Sequence, residues 1–293
     1  MTFDGFETRR ISTPRGEVCA RVGGSGPPLL LVHGFPETHL MWHPVAPALA
    51  ERFTVVAADL PGYGDSFRPP VSDDHASHSK RALAADLVAA MAALGFDTFA
   101  VAGHDRGARV AYRMALDHPD VVTRLAVLDV VPTGEVWRRA DATLAHGYWH
   151  WAFLAQPAPL PERLISADPD GFWLAAERIG LKPGDPRYPD AVLRAYRAQL
   201  DDPAFVTAMC EDYRAGATID RAHDEAEARV IACPVRSLWG GAGGLPRFYA
   251  DPLEPWRRFA PDSTGRAVEG ASHFLVEDAP KEVLADLLAF FTA

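Results

Sequence analysis

The stretch Val101–Arg113, VAGHDRGARVAYR, contains the feature that decides the fold. It predicts the end of a buried strand, a turn framed by Gly103 and Gly107, and a helix from about Arg106 to Asp117. Small residues two positions before and after a central side chain, between strand and helix, form a nucleophile elbow. Glycine is needed there because the turn is sharp and its backbone is crowded. The pattern predicts that Asp105 projects into a pocket above the strand ends.

Apolar runs and helical patterns alternate on both sides of this turn. A hairpin is predicted around GEVCARV, and helices are predicted in RALAADLVAAMAALG and PKEVLADLLAFF. Continuous apolar runs are typical of strands that are buried on both faces, and here they begin with PPLLLVHG, FTVVAADL, TFAVAG and RLAVLDVV. Later in the chain the alternation resumes with the strands predicted at CPVRSLWG and RAVEGASHF. This alternation predicts an α/β protein with a mostly parallel sheet covered by helices on both faces.

The alternation is interrupted between about residues 132 and 228, which are rich in Trp, Tyr, Arg and Pro. Helical patterns such as DAVLRAYRAQL lie within this region. We therefore expect residues 1–131 and 229–293 to form one α/β core, with residues 132–228 inserted as a helical cap.

Composition excludes several classes of function. The net charge of −10, with no basic run, disfavours nucleic-acid binding. No apolar stretch is long enough to span a bilayer, and MTFDGFETRR has no layout of a secretory signal. Cys19, Cys210 and Cys233 are scattered without metal-ligand spacing and fit a reducing cytoplasm. We expect a cytoplasmic protein that contacts neither membrane nor nucleic acid.

An aspartate at the elbow predicts displacement at saturated carbon. A carboxylate attacks such a carbon to form an alkyl ester on the enzyme, which suits release of halide or opening of an epoxide. Attack on an ordinary ester or peptide would give a labile anhydride. No G-x-S-x-G occurs in the chain, so no motif supports a serine nucleophile.

Hydrolysis of that ester requires water and a base. His273, in EGASHFLVED, follows the last predicted strand and is the candidate base. An acid must orient the imidazole. Asp129, which ends RLAVLDVV one strand after the nucleophile, is our choice. Asp251 and Glu254 remain alternatives.

Two arginines begin the elbow helix. Arg106 and Arg109 are three residues apart, so they can share a face. Positive charge there opposes the helix dipole, and nothing local in the sequence offsets it. A bound carboxylate would, through charge-assisted hydrogen bonds. The alternative for Arg109 is a salt bridge to a core acid, and Arg113 fits a structural role better.

Six stretches together resemble the fluoroacetate dehalogenases of the α/β-hydrolase superfamily. They are HGFPETHLMWHPVAP (33–47), DLPGYGDS (59–66), GHDRGARVAYRMALDHP (103–119), YWHWAFLAQPAPLPE (148–162), MCEDYRAGA (209–217) and SHFL (272–275). The resemblance implies an α/β-hydrolase fold with a helical cap and hydrolysis of small anionic 2-haloacids, such as fluoroacetate or chloroacetate, to glycolate. It also implies a homodimer. No metal or organic cofactor is expected, because hydrolysis of this kind needs only water.

The resemblance also implies roles for individual residues. Asp105 would attack the α-carbon, His273 would activate water against the resulting ester, and Asp129 would orient His273. Arg106 and Arg109 would bind the substrate carboxylate.

The remaining implied roles concern the halide and the oxyanion. The cap residues His150, Trp151 and Tyr213 would donate hydrogen bonds to the departing halide, since converging donors stabilise its developing charge. The backbone N–H groups of Phe35 and Arg106 would stabilise the oxyanion formed when water attacks. The Phe35–Pro36 bond is a candidate cis peptide.

The chain departs from the family in two places. The cap segment 175–190 lacks a tryptophan that the family carries in this region, and Trp173 lies out of register. This bears on substrate access and on preference for fluoride. Ser272 precedes His273 where glycine is more usual, a change we expect to be tolerated.

Two other functions fit parts of the pattern. A haloalkane dehalogenase or an epoxide hydrolase also uses an elbow aspartate, but commonly carries tryptophan where this chain has Arg106. Epoxide opening needs two cap tyrosines, and the candidates are Tyr148, Tyr188, Tyr196 and Tyr213. A non-catalytic protein that binds a small acid is the second alternative, which an intact set of Asp105, His273 and Asp129 disfavours.

Overall fold

The computed structural model describes residues 3–293, and for residues 175–179 it describes the backbone alone. Within these residues eight strands form one sheet in the order β1-β2-β4-β3-β5-β6-β7-β8. The strands are β1 (Glu7–Ser12), β2 (Glu17–Gly23), β3 (Pro28–Val32), β4 (Thr54–Ala58), β5 (Phe99–His104), β6 (Val122–Leu128), β7 (Val235–Gly240) and β8 (Thr264–Val268).

Helices cover both faces of this sheet and fill the long insertion between β6 and β7. They are α1 (Ala46–Leu49), α2 (Lys80–Ala93), α3 (Asp105–Asp117), α4 (Thr133–Arg138), α5 (Ala142–Gly147), α6 (Trp149–Leu154), α7 (Leu160–Ala167), α8 (Pro169–Ile179), α9 (Asp190–Ala198), α10 (Pro203–Ala217), α11 (Ile219–Ala226), α12 (Leu245–Phe248), α13 (Leu275–Asp278) and α14 (Pro280–Thr292). Short 3-10 helices span His39–Trp42, Ala76–His78, Gln199–Asp201 and Glu254–Arg258.

The sheet confirms the α/β prediction. The first two strands form the predicted hairpin, with Glu7 opposite Val22, and β2 pairs antiparallel with β4. All pairings from β4 to β8 along the sheet are parallel. The central strand β5 is buried along its whole length, because helices on both faces exclude water from it.

The parallel order brings the carboxyl ends of β3, β5, β6 and β7 to one edge of the sheet. The elbow follows β5, and the cap helices, a name we use for α4 to α11, lie in the connection from β6 to β7. The core and cap boundaries at 131/132 and 228/229 stay predictions, and residues 1–2 of the first segment lie outside the described residues.

Between residues 3 and 293, no helix combines the length and the apolar character needed to cross a membrane.

Candidate active site

The elbow between β5 and α3 is as crowded as its glycines predict. A Cβ built on Gly107 would lie 2.3 Å from the carbonyl oxygen of His33, and one on Gly103 would lie 2.6 Å from the Cα of Ala108. Asp105 itself has a φ of 44°, a backbone conformation that costs energy for a residue other than glycine. Such strain is typical of a side chain held in place for chemistry.

Asp105 is held against the loop that follows β3. The backbone N–H of Phe35 donates to its Oδ2 at 3.1 Å, and no hydrogen bond from the described residues reaches its Oδ1. Gly34 makes this approach possible, since a Cβ there would lie 2.5 Å from the Cβ of Asp105. The Phe35–Pro36 peptide is cis.

Asp105 is 7% exposed and remains an anion. Burial alone would raise the pKa of its carboxyl, but the nearby charges of His273, Arg109 and Arg106 outweigh burial and lower the pKa below its ordinary value. The candidate nucleophile is therefore ionised at neutral pH.

His273 and Asp129 form the hydrogen-bonded pair that the sequence predicts. Asp129 Oδ2 lies 2.5 Å from His273 Nδ1, and its Oδ1 accepts from the backbone N–H of Gly240 at 2.9 Å. With Nδ1 bound to the acid, Nε2 is the nitrogen left for chemistry. Asp129 also has a positive φ, 52°.

The charge of His273 depends on its neighbours. Burial would lower the pKa of its imidazole, but the hydrogen bond to Asp129 and the carboxylates of Asp129 and Asp105 outweigh burial and raise that pKa to about 9. In the resting protein His273 is therefore an imidazolium between two carboxylates.

The alternative acids do not face His273. Asp251 accepts a hydrogen bond from the backbone of Leu253, and Glu254 pairs with Arg139 at 2.5 Å. Asp129 is the acid that contacts the imidazole.

Ser272 stabilises the loop that carries His273. Its hydroxyl donates to Asp278 Oδ2 at 2.5 Å and its backbone N–H donates to the same oxygen at 2.7 Å. The hydroxyl bond is one that glycine could not make, and it explains how the loop accommodates a serine.

A cavity of about 260 Å³ opens above Asp105. Most of the predicted site residues line it. Its walls are formed by Phe35, Asp105, Arg109, Asp129, His146, Gly147, Tyr148, Trp149, His150, Trp151, Ala242, Gly243, Gly244, Arg247, Phe248 and His273. Arg106 and Tyr213 are not among the residues that line it, but Tyr213 packs against His150 and Trp151, which do.

Arg109 presents its guanidinium to the cavity. Its Nη1 donates to the carbonyl of Val131 at 2.9 Å and to the hydroxyl of Thr133 at 3.2 Å, and the group lies 4.6 Å from the centre of the Trp151 ring. Among the described residues no carboxylate lies within 4 Å of it. The salt bridge considered for Arg109 is therefore not formed, and its charge is available to a ligand.

Arg106 corrects one expectation. The sequence offered no local group to offset its charge, but Asp212 of α10 does so from the cap. Arg106 Nε donates to Asp212 Oδ2 at 2.5 Å and Nη2 donates to the backbone carbonyl of Asp212 at 2.6 Å. Its Nη1 is buried without a hydrogen-bond partner among the described residues. Arg106 is thus an internal ion-pair partner with one free donor, and its contact with a substrate stays a prediction.

The three cap residues implied by the resemblance lie together beside Phe35. The ring centre of Tyr213 is 5.9 Å from that of His150 and 6.0 Å from that of Trp151, and all three residues are buried. Burial lowers the pKa of His150 to about 4 and raises that of the Tyr213 hydroxyl. The imidazole is neutral and the phenol keeps its proton, so each retains an N–H or O–H to donate.

Sequence reasoning missed several residues around the site. Asp212 lies 106 positions from Arg106, so no local pattern connects them. Arg247 lines the cavity and is exposed. It follows the glycine-rich stretch SLWGGAGG, and no motif in the sequence marks it. His104, next to the nucleophile, could have been singled out as the variable position of the elbow.

In the described part of the chain no cluster of His, Cys, Asp or Glu is arranged to hold a metal ion. Cavity residues that could bind a negatively charged ligand are Arg109 and Arg247.

Comparisons with known proteins agree with this architecture. The alpha/beta hydrolase fold family matches residues 27–280. A fluoroacetate dehalogenase from Burkholderia sp is 42% identical over 298 residues, which cover 99% of this chain and 95% of that protein. A soluble epoxide hydrolase from Corynebacterium sp. (strain C12) is 32% identical over 275 residues, covering 92% of this chain and 91% of that protein. A solved structure from Nostoc sp PCC 7120, described as an alpha/beta hydrolase, has a TM-score of 0.95 at 45% identity and covers 99% of both chains.

Proposed function

This chain belongs to the fluoroacetate dehalogenase family of α/β hydrolases, and we propose that it hydrolyses the carbon–halogen bond of small 2-haloacids such as fluoroacetate and chloroacetate. The products are halide and, when the substrate is a haloacetate, glycolate. The observation that carries the proposal is an ionised aspartate at the elbow beside an imidazole–carboxylate pair. In the same cavity lies an arginine that no acid of the described residues approaches within 4 Å.

Asp105 acts first as nucleophile. Phe35 holds Oδ2, so Oδ1 attacks the α-carbon. The new bond joins Oδ1 to that carbon, the carbon–halogen bond breaks, and the electron pair leaves with the halide. Arg109 binds the substrate carboxylate and directs the α-carbon toward Asp105, with Arg106 Nη1 as the second donor.

The cap donors stabilise the departing halide. His150, Trp151 and Tyr213 each supply a donor to the charge that develops on it, and fixed donors in a dry site lower the barrier most for a poor leaving group such as fluoride.

The charge change at Asp105 activates His273 for the second step. Ester formation removes the negative charge of Asp105, which helps to raise the pKa of the imidazole. That pKa therefore falls, and His273 releases its proton to solvent and becomes a base. It takes a proton from water, whose oxygen attacks Cγ of Asp105. The resulting oxyanion is stabilised by the backbone N–H groups of Phe35 and Arg106. Glycolate then leaves with the proton from His273. Asp105 keeps one oxygen from water and passes its remaining proton to His273, which restores the carboxylate and the imidazolium.

An epoxide hydrolase is the second candidate, because Tyr148 lines the cavity and one relative has that activity. Two of the four candidate tyrosines are committed elsewhere. Tyr188 donates to Asp278 at 2.7 Å and Tyr196 donates to Glu277 at 3.3 Å. Tyr148 and Tyr213 are left to protonate an epoxide oxygen.

Parallel assays test the proposal. The purified protein is incubated with fluoroacetate, chloroacetate and a styrene-type epoxide, and halide or diol is measured. We expect halide from the haloacids and little diol; diol without halide would establish the second candidate. Arg109→Leu should lower turnover of haloacetate far more than any turnover of the neutral epoxide, and equal losses would remove the carboxylate-binding role.

A further inference from the structure

A row of buried polar side chains lies behind the elbow and outside the cavity wall. Glu37, His104 and Tyr196 have no exposed surface and Glu277 is 1% exposed. His104 Nδ1 lies 2.9 Å from Glu37 Oε2, and its Nε2 lies 2.8 Å from the backbone carbonyl oxygen of His273. Tyr196 donates to Glu277 Oε1 at 3.3 Å, and the carboxyl groups of Glu37 and Glu277 contact each other. The row ends on the main chain of the candidate base.

One contact in this row lacks a donor if both glutamates are ionised. Glu37 Oε1 and Glu277 Oε2 are both buried with no hydrogen-bond partner among the described residues. A carboxylate can only accept hydrogen bonds, and two buried carboxylates in contact repel each other. A proton between these oxygens removes the repulsion and satisfies both atoms.

If His104 is neutral, hydrogen-bond chemistry determines where the protons lie. The carbonyl of His273 can only accept, so His104 carries its proton on Nε2. A neutral imidazole then accepts at Nδ1, and Glu37 Oε2 must donate to it. Because Glu37 uses its proton there, its Oε1 accepts, and the second proton belongs to Glu277. At the other end of this series of hydrogen bonds, Tyr196 donates to Glu277 Oε1.

The charged alternative has the same number of protons but places them differently. In it, His104 is an imidazolium beside an ionised Glu37, and both charged groups are buried away from solvent. Burial lowers the pKa of His104 to about 4 and raises the pKa values of Glu37 and Glu277. These directions favour the uncharged arrangement.

We propose that Glu277 and Glu37 are both protonated in the resting protein and form, with Tyr196 and His104, a one-way chain of hydrogen-bond donors that fixes the backbone of His273. This hydrogen-bond chain positions the imidazole for the hydrolytic step, a role that rests on the proposed function of His273 as base. Glu37, Glu277 and His104 are positioning residues, since none of them lines the cavity.

The hydrogen-bond chain predicts how the stability of the protein depends on pH. The groups that face the two acids are His104 and Asp105 at the elbow, His273 on its loop, and Tyr188 and Tyr196 beside Glu277. A carboxyl whose pKa is raised by folding stabilises the native state fully below its ordinary pKa. That stabilisation is lost as pH rises through the raised value.

The activity of two variants at Glu37 tests the hydrogen-bond chain. In Glu37→Gln an amide N–H donates to His104 Nδ1 and the amide oxygen still accepts from Glu277, so the chain survives without a titrating proton. We expect kcat within about twofold of the parent and a weaker loss of stability on the alkaline side. Glu37→Leu removes both bonds and should lower kcat roughly tenfold, as loss of a supporting partner does elsewhere, with KM nearly unchanged. If Glu37→Gln loses as much kcat as Glu37→Leu, a carboxylate is needed and the proposal is wrong.

Spectroscopy tests the protons without any substrate. Infrared spectra at neutral pH should contain carbonyl bands of two buried carboxylic acids, one lost in Glu37→Gln and the other in Glu277→Gln. Nitrogen NMR should identify His104 as neutral with its proton on Nε2. An imidazolium at His104, or ionised carboxyl groups at both positions, would overturn the proposal. These results do not depend on halide release, so they are separable from a failure of the proposed function.

Discussion

Among single residues, the charges of Asp105 and His273 control each other. Asp105 is an anion because His273, Arg109 and Arg106 oppose the effect of burial. His273 is in turn a cation because Asp129 and Asp105 stabilise its proton. In the proposed reaction, loss of the Asp105 charge to the ester therefore converts His273 from an acid into a base between the two chemical steps.

Replacement of His273 should separate those steps. In His273→Gln, Asp105 can still displace halide, but no base activates water, and general-base catalysis commonly contributes about 10²–10⁴-fold. We expect one equivalent of halide per active site in a rapid burst, followed by almost no turnover. Rapid-mix halide detection measures the burst, and mass spectrometry should find the glycolyl adduct on Asp105. Continued turnover at the parental rate would contradict the role of His273.

The pH dependence of the parent protein should follow the same logic. Formation of the ester needs ionised Asp105, whose pKa is lowered, whereas its hydrolysis needs neutral His273. As pH falls, hydrolysis should therefore fail before alkylation does. Single-turnover experiments at decreasing pH should detect the ester accumulating with halide already released. Equal loss of both steps at every pH would argue against this order.

At the scale of secondary-structure elements, the elbow is fixed by backbone contacts between β5, α3 and β3. The methyl group of an alanine at 107 would meet the carbonyl oxygens of Val32 and His33 at 2.4 and 2.3 Å. Backbone atoms cannot move aside as a flexible side chain can, so the helix itself must shift and carry Asp105 with it.

Gly107→Ala should therefore lower both stability and turnover. Overpacking of this kind costs about 1–3 kcal/mol, and a displaced nucleophile loses further rate. The control is Gly216→Ala, where an added Cβ meets only the guanidinium of Arg106, at 3.4 Å. Thermal unfolding and halide release compare the two variants. Parental stability and rate in Gly107→Ala would show that the elbow is less constrained than its contacts indicate.

The cap helix α10 is bound to the core through Asp212. This carboxylate accepts from Arg106, from the buried ammonium of Lys80 and from the hydroxyl of Tyr63. Loss of one partner of a buried ion pair leaves the other charges uncompensated.

Asp212→Asn should therefore destabilise the protein by about 3 kcal/mol. Asp201→Asn is the matched control, because Asp201 pairs with Arg197 at an exposed position, where such a pair contributes less than about 1 kcal/mol. Denaturant unfolding measures both variants. Equal, small effects would mean that Asp212 does not hold the cap helix to the core.

The elements were the most predictable part of the molecule. Buried parallel strands are continuous apolar runs, and strands β3 to β6 lie where those runs predicted them. The buried polar pairs were not predictable, since Asp212 and Arg106, or Glu277 and Glu37, are distant in sequence and meet only when the cap and α13 fold onto the elbow. Asp105, Asp129 and His273 were accessible from the sequence because each follows a predicted strand.

At the scale of the whole molecule, the net charge of −10 repels the anions that this chain is proposed to bind. Arg247 lies exposed in the cavity wall, and among the described residues no acid lies within 4 Å of it. A cation at this position opposes the overall field where substrate enters.

Arg247→Glu should lower kcat/KM for haloacetates by about three- to tenfold at low salt, because an attractive charge at the entrance becomes repulsive. The difference should shrink near 1 M salt, where the Debye length is about 3 Å. Arg52→Glu is the control, since Arg52 is also exposed and lies outside the cavity wall. Initial rates across ionic strengths decide the question, and equal losses in both variants would assign the effect to net charge alone.

Covalent catalysis by Asp105 can be tested by one turnover in heavy-oxygen water with enzyme in excess over haloacetate. Covalent displacement by Asp105 predicts the heavy oxygen in the peptide that contains Asp105, and glycolate with none. Heavy oxygen in glycolate, with an unlabelled Asp105 peptide, would mean that water attacks the substrate directly and would contradict the account.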